Sequence, residues 1–136
     1  MKHNLLKSVI LSVILLMGVL PVYPKTIYLH TGGGDLWGKA NAIFFIHSWD
    51  GSSSNNARMT LVQGDIYKAN IPDNHTHCLF TRQDPNSNSI NTNDPWNKTG
   101  DLKIIMDCFR IKDWGSGAWG FYLPSNSYKL TSSKDT

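Results

Sequence analysis

The chain of 136 residues contains no glutamate, so every one of its 10 acidic side chains is an aspartate. It has only 2 cysteines and only three arginines, Arg58, Arg82 and Arg110, which stand far apart. Each scarcity excludes something. Without Glu, and with Asn, Ser, Thr, Gly and Asp abundant, the composition opposes long helices and favours turns and caps. Without a Cys-x-x-Cys pair or a third thiol there is no zinc or thiol-redox motif. Without a run of Lys and Arg there is no phosphate-tracking surface, and no nucleic-acid partner is expected.

The one long apolar run lies at the start. Lys2, His3 and Lys7 precede Ser8 to Leu20, about 13 residues, against the roughly 20 that a bilayer crossing needs. Residues 1–24 therefore read as a signal peptide, and the alternative is an uncleaved anchor helix. The expectation is a secreted, extracellular protein with no stable membrane insertion after cleavage. Loss of Lys2 and Lys7 with the leader lowers the formal charge from +3 to +1. What remains is one domain over residues 25–124 and a polar tail over 125–136.

That domain is expected to be all-β. Short strand candidates lie at 26–30, 40–49, 57–62, 65–71, 76–83, 100–105, 107–112 and 118–123, separated by turn-forming clusters, a spacing that suggests a sandwich or barrel. Gly64-Asp65 marks a hairpin between two of them. Cys78 and Cys108 both fall in strand candidates, and export would favour a disulfide between them, worth on the order of 3 kcal/mol. The alternative is two buried free thiols.

The run Asn93-Asp94-Pro95-Trp96-Asn97-Lys98-Thr99-Gly100-Asp101 mixes an aromatic ring with amide, hydroxyl and carboxylate groups in a turn-rich segment, a combination suited to a sugar. Alternation along 40–49 places Ala42, Phe44 and Ile46 on a core face and Asn41, Ile43, Phe45, His47 and Trp49 on the other. Flat rings flanked by polar groups can stack on the apolar C–H face of a pyranose. The plainer alternative is that Phe45 and Trp49 pack under a loop.

The order Trp37-x-Lys39-Ala40-Asn41-Ala42, Trp49-Asp50-Gly51, Met59-Thr60, Gly64-Asp65-Ile66-Tyr67, Ile71-Pro72, Leu79-Phe80-x-Arg82 and Trp96-Asn97-Lys98-Thr99-x-Asp101-Leu102 resembles the starch-binding modules of carbohydrate-binding module family 26. The resemblance spans about residues 26–123. It implies an immunoglobulin-like antiparallel β-sandwich of seven or eight short strands that binds α-glucans without cleaving them. Two ligand-facing aromatic positions of that family, usually tyrosines, fall on Phe45 and His47. A third, a tryptophan, is missing from Asn55-Asn56-Ala57-Arg58, and a common glutamine is replaced by Lys98.

The expected substrate-binding set is Phe45, His47, Trp49, Trp96, Lys98 and Thr99, with Asp101 organising the turn. The expected partner is a polysaccharide, starch or glycogen, bound by a monomer with no cofactor. Trp37, Trp114 and Trp119 are expected in the core. No metal site is expected: His75-x-His77 has no third ligand near it in sequence, and Asp94 with Asn93 and Asn97 forms no defined calcium motif. Catalysis is not expected either. A glycosidase would need two carboxylates about 5 to 10 Å apart, a separation that Asp94 and Asp101 could approach across a turn. The rival to sugar binding is an adhesion or protein-interaction domain. Sequons at Asn74 and Asn97 would matter only in a eukaryotic secretory pathway.

Overall fold

Among the described residues every regular element longer than three residues is a strand, as the lack of helix-forming composition implies. The computed structural model describes residues 23–124. The expected tail, and all of the expected leader except Tyr23 and Pro24, lie outside the described residues. Ten strands follow in order: β1 Pro24–His30, β2 Ile43–Trp49, β3 Ser54–Arg58, β4 Thr60–Gln63, β5 Ile66–Pro72, β6 His77–Gln83, β7 Asn97–Lys98, β8 Leu102–Lys103, β9 Cys108–Ile111 and β10 Gly117–Gly120. The first sheet has the order β10-β9-β1-β5-β4, and the second has β3-β2-β6-β7 with β8 also pairing to β6. The first sheet is mixed, because β1 runs antiparallel to β5 but parallel to β9.

Alternation explains which side chains meet. In β1, Ile27 and Leu29 are buried while Tyr28 and His30 are less so, and in β2 Phe44, Ile46 and Ser48 share the inward face. Ile27, Leu29, Ala69, Ile71, Phe109 and Ile111 from the first sheet form one core with Phe44, Ile46, Cys78 and Phe80 from the second. Ring contacts cross between the sheets: Phe80 stacks 5.7 Å from Phe109, and Phe44 meets Tyr67 edge-on at 4.7 Å. Each fully buried Ile, Leu or Phe side chain contributes roughly 1.5–3 kcal/mol relative to exposure.

The structure corrects the expected seven or eight antiparallel strands to ten among the described residues, with β1 and β9 parallel, and among the individual candidates three changes matter most. The 57–62 candidate is two strands, because Met59 crosses from one sheet to the other; its side chain enters the core and its N–H bonds to the Phe44 carbonyl at 2.8 Å. Residues Lys39–Asn41 are a 3-10 turn, with Ala40 and Asn41 at φ of 65° and 55°, so β2 begins only at Ile43. The 100–105 candidate shrinks to Leu102–Lys103.

The expected disulfide is corrected: Cys78 and Cys108 are both buried free thiols. The reason is the pleat. Cys78 shares the inward face of β6 with Phe80, whereas Cys108 alternates with the inward Phe109 and pairs in register with Tyr28, on the outward face of β9. Sheets that pack face to face are about 10 Å apart. A bridge needs Cα atoms within roughly 7 Å and Cβ atoms turned towards each other.

Candidate functional site

The outer face of the second sheet is divided into a covered end and an open end. Registers Phe45↔Thr81 and Ile43↔Gln83 define the first, and His47↔Leu79 and Trp49↔His77 the second. At the covered end the chain after β6 folds back: Gln83 Oε1 accepts the Asn91 N–H at 2.9 Å, and its Nε2 donates to the Ser89 carbonyl at 3.0 Å. Thr81 and Gln83 are buried there, and Phe45 is only 5 % exposed. The ring expected to stack on a ligand thus packs beneath a loop.

Thr99 is likewise an internal residue. Its hydroxyl accepts the Phe80 N–H at 3.0 Å and donates to the Gly100 carbonyl at 2.9 Å, and it is 2 % exposed. It holds the Trp96-to-Asp101 segment against β6, where Asn97–Lys98 pair with Arg82 and Thr81 as a short strand.

At the open end three rings form a row. His47 and Trp49 have centroids 5.2 Å apart, and Trp49 and His77 stack at 5.9 Å with planes 20° apart. His77 was absent from the sequence-based set; the signal for it is its place two residues after His75 at the head of a strand antiparallel to β2. The rings are fixed from their edges. Asn56 Oδ1 lies 2.6 Å from His47 Nδ1, so that Nδ1 donates to it and Nε2 is left without a protein partner among the described residues. Thr76 Oγ1 holds His77 Nδ1 at 2.8 Å.

A shallow depression of about 310 Å³ opens beside this row. His47, Trp49 and Leu79 form one wall, and Lys98, Asp101, Thr92 and Asn93 the other. Lys98 Nζ donates to the Thr92 carbonyl at 2.9 Å, tying the second wall together. The depression therefore offers an indole and an imidazole, an ammonium donor, a carboxylate acceptor and amide groups. Those groups can hold a flat ring with hydroxyls on its rim.

Of the expected set, His47, Trp49 and Lys98 come together here, and Phe45 and Thr99 lie below the surface. Trp96 is 43 % exposed but lines a different depression with Asp84 and Asp94. Asp94 and Asp101 consequently face different hollows rather than one cleft.

The remaining candidates resolve into framework. His75 is buried between two serines, with Ser48 Oγ 2.8 Å from Nδ1 and Ser53 Oγ 2.9 Å from Nε2. Both nitrogens are thereby occupied, and no group of three metal-ligating side chains occurs among the described residues. Trp37 is fully buried as expected, and its Nε1 donates to the Trp114 carbonyl at 2.9 Å. Trp119 packs half-buried against Phe109, whereas Trp114 is 40 % exposed and so departs from the core position expected of it. No helix among the described residues is long and apolar enough to cross a membrane.

Comparison of the chain with protein-family models, with curated proteins and with solved structures finds no match.

Proposed function

We propose that residues 25–124 form an immunoglobulin-like β-sandwich acting as a secreted, non-catalytic carbohydrate-binding module for an α-glucan of the starch or glycogen type. The observation that carries this reading is the His47–Trp49–His77 row beside Lys98 and Asp101. A pyranose would lay its C–H face on Trp49, take a hydrogen bond from Lys98 and give hydroxyl protons to Asp101 and His47 Nε2. The sequence resemblance to family 26 modules supports the same class of ligand, and the row supplies rings where Phe45 does not.

Native gels cast with soluble starch or glycogen test the reading. Retarded migration of the parent domain, relieved in Trp49→Ala, is the expected result. Equal mobility of the parent domain with and without every polysaccharide tried overturns it in favour of a protein-interaction domain.

Export is part of the same proposal. The Tyr23 carbonyl accepts the Asp73 N–H at 2.9 Å, and Pro24 begins the β1–β5 register. Leader removal before Tyr23 would preserve both contacts, whereas removal of all of residues 1–24 would give them up. N-terminal sequencing of the exported protein that began at Met1 or beyond Lys25 would refute this.

A further inference from the structure

We propose that the Trp96–Arg82–Trp114 cluster forms a second subsite for a neutral pyranose, separate from the row on the outer face; the ligand class rests on the polysaccharide reading above.

Arg82 is 7 % exposed, and none of its hydrogen bonds goes to a carboxylate. Its Nε donates to the Trp37 carbonyl, its Nη2 to the Lys39 carbonyl and its Nη1 to Asn97 Oδ1. The cation lies instead against two π-faces that attract it, with the guanidinium carbon 4.9 Å from the centre of the Trp96 ring and 5.4 Å from that of Trp114. Serving Arg82 alone would be compatible with burying both indoles. They are instead 43 % and 40 % exposed, which presents two large rings to solvent in fixed positions. A ligand meeting them loses little of the side-chain freedom that usually opposes binding.

Beside Trp96 lies a hollow of about 370 Å³, within the size range of small-ligand sites. Its wall is a loop held in one shape. Buried Gln83 bonds to Ser89 and Asn91, and Asn91 Oδ1 accepts the N–H groups of Asn93 and Asp94, each at 3.0 Å. Among the described residues nothing bonds to the side chains of Asn88 or Asp94, which line the hollow.

The charges select the ligand. Asp84 and Asp94 line the hollow and no Lys or Arg does, while three of the five N–H groups of Arg82 are spent on the Trp37 and Lys39 carbonyls and Asn97 Oδ1. Uronates, sulfated glycans and nucleic acids would be repelled. A neutral ring can stack on Trp96, donate hydroxyls to the carboxylates and accept from the Asn88 amide. The same loop walls both hollows, with Thr92 and Asn93 facing one and Asn88 and Asp94 the other. A long glucan could engage both and gain from effective concentration.

The test follows the five tryptophan indole N–H signals by NMR during titration with maltoheptaose, and with an oligogalacturonate of equal length. Trp49, Trp96 and Trp114 should all shift in the parent. Trp49→Ala should leave the Trp96 and Trp114 responses intact. Asn88→Phe, filling the hollow from an exposed position, should abolish the Trp96 response, leave that of Trp49, and weaken binding to long glycogen chains at least about tenfold. The oligogalacturonate should move neither Trp96 nor Trp114. A response at Trp49 alone overturns the second subsite and leaves the proposed function standing. Loss of the Trp96 response in Trp49→Ala shows one continuous site and overturns the separation. An equal shift with oligogalacturonate overturns the neutral ligand. Silence of every indole with maltoheptaose overturns the polysaccharide reading and this inference together.

Discussion

Cys78 faces the interior beside Phe80, whereas Cys108 sits on the outward side of its strand opposite Tyr28. Burial pushes the Cys78 thiol up to about 12, and burial with the nearby Asp107 carboxylate pushes Cys108 up to about 11. At pH 8 both are protonated and therefore poor nucleophiles. Native protein should react slowly with iodoacetamide and take up two equivalents once unfolded in guanidinium. A reductant should leave the melting temperature unchanged. An unfolded, unreduced sample that takes up none would show that a bridge exists after all.

Phe45 and Trp49 stand on the same face of β2 and should respond differently to truncation. Phe45→Ala empties a buried position and should cost about 3 kcal/mol, seen as a fall in melting temperature of about 10 °C or more. Trp49→Ala loses only its contacts with His47 and His77, about 1 kcal/mol of stability. It should nevertheless weaken glucan binding by about 1–3 kcal/mol. Calorimetric melting with isothermal titration separates the two effects. Equal loss of stability in both variants would mean that Trp49 is a packing residue.

Gly117 admits no side chain. A Cβ there would lie 2.0 Å from the Arg110 carbonyl oxygen across the β9–β10 pair. Gly117→Ala must displace backbone, so β10 should detach and Trp119 should lose its edge-on contact with Phe109. Hydrogen exchange should show loss of protection over 117–120. Unchanged protection there would refute the close approach.

Asp50 closes the turn between β2 and β3. Its Oδ1 accepts the backbone N–H groups of Ser52 and Ser53 at 2.9 and 2.8 Å and both serine hydroxyls, and its Oδ2 accepts from Asn74 at 2.9 Å. The backbone bonds, helped by the hydroxyls, pull its pKa down from the ordinary 3.8 to about 2. Because the folded value lies below the unfolded one, the turn's stabilisation is complete above about pH 4 and is lost as pH falls through about 2. A carboxyl carbon titration by NMR should give a midpoint near 2; one at or above 3.8 would dismiss the turn geometry.

Local patterns reported much of this arrangement. Alternation along β2 separated Phe44 and Ile46 from His47 and Trp49, and Gly64, at φ of 51°, turns the chain between β4 and β5 as its place before Asp65 implies. What alternation cannot report is the layer lying above a face. Phe45 and Trp49 are indistinguishable by parity, and only the return of the loop after Gln83 buries one and leaves the other open. The same limit applies to the cysteines, since strand membership says nothing about which side of which sheet each thiol takes. Met59 changes sheets without any break in the apolar pattern. Trp96 stands two residues before Lys98 yet lines another hollow, because β7 begins only at Asn97 and Trp96 lies in the loop ahead of it.

The parallel pairing of β1 with β9 has a further consequence for how the chain reaches this state. β1 is the middle strand of its sheet, but its partner on one side is made roughly 80 residues later, after the whole second sheet. Such long loop closure slows folding. During synthesis the sequence Thr-Ile-Tyr-Leu-His therefore waits with one hydrogen-bonding edge unfilled, and a chain that stopped short of Cys108 would keep that edge open to the same edge of another copy.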